Sequence, residues 1–159
     1  MDDPRHDFPA VRRVVTGHDA TGKAVVLTDG TASNTRLPDS HTKSTVLWVT
    51  ETSPTVFTGD EDGANVRSGF APPPQGSRFG ILDIAPGNQR FMHRTDTVDY
   101  VICLKGSVQL LLDDSEVTLH AGDIVIQRGT NHAWINRGDK GARIAFVLLD
   151  ALPKREGSI

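Results

Sequence analysis

Cysteine is nearly missing from this chain: Cys103 is the single one in 159 residues. That excludes an intrachain disulfide and any cysteine-rich zinc site. No apolar run approaches the roughly 20 residues that cross a bilayer. Nor is there a basic stripe of the kind nucleic acid demands. The longest Lys/Arg runs are the pairs Arg12-Arg13 and Lys154-Arg155, in a chain of net charge −3. The N-terminal stretch MDDPRHDFPA is acidic and polar, unlike a secretory signal. No Gly-x-Ser-x-Gly elbow, Walker-type glycine loop or Gly-x-Gly-x-x-Gly appears, which disfavours serine hydrolases, nucleotide hydrolases and Rossmann dehydrogenases. No nucleotide cofactor, nucleic-acid partner or membrane is therefore expected, and the chain reads as cytoplasmic.

What is present is ordinary in bulk, at 37% hydrophobic and 23% charged residues. A chain of this length fits one domain that hides roughly two-thirds of its unfolded surface. Residues 11–30 hold two β-branched runs around a polar turn, a hairpin signal. A strand at Val46 to Thr50 follows the polar stretch Thr31 to Ser44. Glu51 to Ser77 is poor in aliphatics and rich in Gly, Pro, Asp and Thr; its prolines lack the ladder N–H, so it reads as a long irregular loop. From Phe79 onward, short strand patterns alternate with turns: FGILDIA, DYVICL, SVQLLLD, EVTLH, DIVIQ, HAWIN and ARIAFVLLD. That rhythm predicts an all-β sandwich or barrel. The expected organisation is an N-terminal extension and loop over 1–78, a barrel core over 79–152 and a tail over 153–159.

The chemistry concentrates between Gly87 and Asn136. Side chains two apart on a strand share a face. Phe91, His93 and Thr95 thus look one way, as do Asp99, Val101 and Cys103, and as do His132, Trp134 and Asn136. Gly87, His93, Asp99 and Gly106 fall at glycine–His–carboxylate–glycine spacing. Gly122, Gly129, His132 and Asn136 form a second glycine–His–Asn set, and fifteen residues separate Gly106 from Gly122. The two sets resemble the paired motifs of the cupin superfamily. Thr95 stands where that pattern has a second histidine, and Asp99 where it has a glutamate. Arg128 replaces a proline, and one residue before Gly129 is missing.

The resemblance implies an all-β fold, a double-stranded β-helix or jelly-roll-like cupin barrel with an N-terminal β-hairpin extension. It implies that His93, Asp99 and His132 converge in the barrel mouth, where they would catalyse and could hold a divalent transition metal (Zn, Fe, Mn or Ni). Asp99 is shorter than glutamate, which withdraws its carboxylate by about 1.5 Å. A metal-free His–Asp acid–base set is therefore the competing expectation. Arg90, Arg94 or Arg128 could grip a substrate oxyanion. Phe91 and Trp134 could stack on a flat substrate, with Thr95 beside them. Gln127 is placed to support the His132 turn. His6, His18, His41 and His120 read as surface residues, and Tyr100 as packing. The function so implied is a lyase or isomerase working next to a carbonyl of a small molecule. The alternatives are an iron-dependent dioxygenase and a non-enzymatic small-molecule-binding module. Dimers are common in such families, so a homodimer is expected, the extension adding its strands to a partner's sheet.

Overall fold

Strand β6 (Thr97–Lys105) shows why the sequence folds as it does. Thr97, Asp99, Val101 and Cys103 are buried, whereas Tyr100, Ile102 and Leu104 face outward. This period-two alternation sets one face of a sheet against an interior. The computed structural model describes residues 8–57, 59 and 61–153. His6, Lys154-Arg155 and the rest of the tail beyond residue 153 lie outside the described residues.

The remaining strands, in chain order, are β1 (Arg12–His18), β2 (Ala24–Thr31), β3 (Thr35–Arg36), β4 (Thr42–Thr50), β5 (Ser77–Ile84), β7 (Ser107–Leu111), β8 (Glu116–His120), β9 (Ile124–Arg128), β10 (Ala133–Ile135) and β11 (Ala142–Asp150). They form a β1–β2 hairpin, a six-stranded sheet in the order β3-β4-β5-β11-β6-β9 and a three-stranded sheet in the order β10-β7-β8. Every pairing is antiparallel. The fold is thus the all-β one expected, with the hairpin at 12–31. Strand β4 stands inside the larger sheet, so the barrel wall begins well before Phe79. Strand β3, within the polar stretch Thr31 to Ser44, carries no apolar alternation and is not visible in the sequence.

The core lies between the two sheets. Val101, Cys103, Ile144, Phe146 and Leu148 of the large sheet meet Val108 and Leu119 of the small one. Cys103 is a packed, buried thiol. Strand β11 pairs with β5 on one side and β6 on the other, and its inward residues Ile144, Phe146 and Leu148 are at once core and cavity wall. No described helix is long and apolar enough to cross a membrane.

Two positive-φ glycines shape the His132 turn and its approach. Gly129 (φ 58°) ends β9 and Gly122 (φ 98°) begins the turn before it, a backbone region open to glycine without penalty. The long loop is pinned rather than loose. Asp62 takes a bidentate pair from Arg13 of β1 (both 2.6 Å), and Asn34 Nδ2 donates to Ala64 O. A 3-10 turn over Gly63–Asn65 follows, capped by the Asp62 carboxylate.

Candidate active site

The cavity opens at the barrel mouth and has a volume of about 490 Å³. His93, Asp99, His132 and Trp134 line it, together with Leu82, Phe146 and Leu148. His93 lies outside the named strands. Its backbone is tied to that of His132 by reciprocal N–H···O bonds of 2.9 Å. The ring centroids stand 4.3 Å apart. The two motifs, far apart in sequence, are thereby joined at their histidines.

Both imidazoles hold one tautomer. His93 Nδ1 faces Phe91 O at 3.1 Å, and His132 Nδ1 faces Thr130 O at 2.9 Å. A carbonyl only accepts, so each Nδ1 carries the hydrogen and each Nε2 keeps its lone pair. Gln127 Nε2 stands 3.1 Å from His132 Nδ1 and 3.2 Å from its Nε2. An atom equally distant from both nitrogens would collide with Cε1 in the ring plane, so it lies over the ring face. The Nε2 lone pair stays free.

Asp99 is satisfied by other partners. Thr97 Oγ1 donates to Oδ1 at 2.6 Å and Gln127 Nε2 to Oδ2 at 2.8 Å. Burial raises the Asp99 carboxyl above its ordinary value, against the lowering effects of the Thr97 and Gln127 hydrogen bonds and of His93. His132 moves the other way: burial lowers it, the Thr130 carbonyl partly offsets that, and His93 lowers it further. Burial thus works on both groups in the direction of their uncharged forms.

The donor set does not fit a three-ligand metal site. Among the described residues no group of three His, Cys, Asp or Glu is arranged to hold an ion. The short Asp99 side chain is engaged by Thr97 and Gln127 instead.

Other expected site residues divide. Thr95 and Trp134 line the cavity. Phe91 does not; it is 65% exposed and stacks outside on His93, with ring centroids 5.3 Å apart. Arg128 points away, because it alternates with the inward-facing Gln127 on β9. Arg90 and Arg94 are exposed on the segment between β5 and β6, and Arg94 leans on Asp96 at 3.5 Å. Tyr100 is exposed rather than packed. Asn136 is structural, its Nδ2 donating to Ile84 O and Lys140 O.

Three site residues escaped the sequence reading. The Phe70 ring meets His93 edge-on at 5.0 Å between centroids, so the long loop reaches over the site. Arg36 and Arg78 also line the cavity. Arg78 had a signal: it shares parity with Leu82 and Ile84 on β5, so alternation alone turns it inward. Arg36 and Phe70 had none.

Comparison with known proteins agrees with this architecture. The Cupin domain family model matches residues 80–148. The cupin-domain-containing oxidoreductase fogC of Aspergillus ruber is 32% identical, over 92% of this chain and 79% of its own. The chain belongs to the cupin family. Phomopsin biosynthesis cluster protein C' of Diaporthe leptostromiformis is 36% identical, over 89% of this cupin and 79% of its own length. A cupin 2 conserved barrel domain protein from Salinispora arenicola shares the fold, with a TM-score of 0.51 at 22% identity, covering 74% of this cupin and 82% of that chain.

Proposed function

We propose that this cupin is an enzyme that moves a proton next to a carbonyl of a small, largely apolar molecule. The carrying observation is the pair of imidazoles at 4.3 Å, each with Nδ1 bound to a backbone carbonyl and Nε2 free. His132, held neutral by burial, takes the proton from the carbon beside the carbonyl, and the electron pair passes to the carbonyl oxygen. Return of a proton to the neighbouring carbon gives isomerisation; loss of a leaving group there gives elimination. The His132 imidazolium so formed returns the proton, His93 Nε2 stands beside it as a second acceptor, and Gln127 positions both His132 and Asp99. Biosynthesis-cluster relatives support a small metabolite as substrate.

The test needs no known substrate. Small aryl and alkyl ketones are incubated with the protein in D2O, and deuterium entry beside the carbonyl is followed by NMR. Entry that depends on His132 supports the proposal; entry equal to that without protein sinks it.

An oxidoreductase is the second reading, favoured by the name fogC carries. Elemental analysis beside a His93→Ala/His132→Ala control separates the two, since about one transition metal per chain, lost in the control, would favour it. The proposal includes a homodimer. Tyr100 opposes Ile126 and Ile102 opposes Ile124 across β6 and β9, all four exposed. An exposed apolar face, with Arg128 at its edge, suits a second copy of itself.

A further inference from the structure

Most of the described arginines that form side-chain bonds hold a carboxylate. Arg12 takes Asp29, Arg13 takes Asp62, Arg137 takes Glu116 and Arg143 takes Asp83. Arg78 does not, although it is only 7% exposed. Its Nη1 donates to Phe70 O at 3.2 Å, its Nε has no partner, and the guanidinium carbon lies 5.3 Å from the centre of the Phe146 ring. Arg36 Nη1 donates to Ser68 O at 3.1 Å. Among the described residues, neither guanidinium forms an ion pair with a carboxylate.

Both arginines line the same cavity as the histidines. Arg78 is lowered from its ordinary value, first by burial and then by the charge of Arg36. Two like charges, one of them buried without a counter-ion, form a costly arrangement. An oxyanion between them would offset both costs, and the planar guanidinium fork matches a carboxylate.

We propose that Arg36 and Arg78 grip a carboxylate of the substrate, so that this cupin acts on an organic acid with an apolar body. The inference rests on the reading of the cavity as the seat of proton transfer. The cavity is otherwise walled by Leu82, Trp134, Phe146 and Leu148, which suits a hydrocarbon or aromatic body. No lysine lines it to favour a more highly charged phosphate. Phe70 sets the spacing: its carbonyl accepts from Arg78 while its ring meets His93.

The experiment titrates the full chain calorimetrically with benzoate and decanoate, each beside its primary amide of matching shape. The wild type is expected to prefer the acids by at least about tenfold, the worth of a charge-assisted hydrogen-bond pair over a neutral one. Arg78→Gln and Arg36→Gln should each reduce that preference. Arg36 is exposed, so its variant gives an answer even where Arg78→Gln fails to fold. Equal binding of acid and amide, no binding by any of the four, or a preference unchanged in Arg36→Gln overturns the proposal. The two readings fail separately. Acid preference in a protein that exchanges no deuterium keeps the arginine site and removes the proton-transfer reading. Deuterium exchange on neutral ketones without acid preference removes the arginine site alone.

Discussion

His93 and His132 exchange two backbone hydrogen bonds of 2.9 Å while their rings stand 4.3 Å apart. The bridge that holds the pair uses no side-chain atom, so structure and chemistry can be separated there by mutation. His93→Ala should leave the melting transition close to that of the wild type and reduce deuterium exchange by about 10²- to 10⁴-fold. Circular dichroism melts and NMR exchange rates check this. Native stability with undiminished exchange would remove His93 from the chemistry.

Acid should weaken the fold through His132. Its folded value is lowered by burial, so below the ordinary 6.5 the unfolded chain takes a proton that the folded chain resists. This contribution is neutral above 6.5 and costs stability as pH falls toward the lowered value. Asp99 acts in the opposite sense: its value is raised from 3.8, so stability drops as pH rises from 3.8 through the folded value. Urea midpoints measured against pH should therefore flatten just below 6.5 in His132→Gln. An unchanged profile in that variant would show that His132 is not held neutral.

Phe70 should control access to His93, since its ring closes edge-on over the imidazole. Phe70→Ala is expected to speed carbethoxylation of His93 by diethyl pyrocarbonate and to leave the melting temperature nearly unchanged, because Phe70 is 60% exposed. Peptide mapping of the modified histidine gives the rate. Equal rates in the two proteins would mean that the loop gives no cover.

A methyl group should be poorly tolerated at Gly80 under the cavity floor. A Cβ there would lie 2.7 Å from Phe146 Cζ and 2.9 Å from the Thr45 carbonyl oxygen. The ring can yield by moving, but the carbonyl belongs to a paired strand. Gly80→Ala should cost about 1–3 kcal/mol by urea denaturation, in the range of overpacked cores. A loss below a few tenths would mean that β4 and β5 separate more freely than their register implies.

The outer face of β6 and β9 should set the oligomeric state. Ile126→Asp places a charge in the exposed apolar face opposite Tyr100. Sedimentation equilibrium should report a dimer for the wild type and a monomer for the variant. A wild-type monomer ends the proposal of self-association through this face.

The legible parts of the molecule were those written in period two or in glycine punctuation. All seven strand patterns from Phe79 onward became strands, and the inward parity of Asp99 and Val101 on β6 followed from alternation alone. Thr95 and Trp134 joined the cavity as parity suggested, whereas Phe91 did not. Parity fails there because the chain around His93 makes one bridge and no strand. Asp99 was legible as a cavity residue but not as the partner of Thr97 and Gln127, a choice set by side-chain reach. Arg36 was hidden for another reason: β3 has two residues, too few for any pattern, and only the fold sets them beside Arg78.

The clasp between Arg13 and Asp62 divides the long loop into two stretches with different freedom to change. Residues 51–57 are all exposed, whereas Gly63 and Ala64, just past the clasp, are buried, with Gly63 set against the Trp48 ring. Length added before residue 58 would spill into solvent and leave Phe70 where it is. The same addition after Ala64 would displace both the cover over His93 and the carbonyl that holds Arg78. The protein thus has a place where it can diverge in length at little cost, and that place ends at a single ion pair.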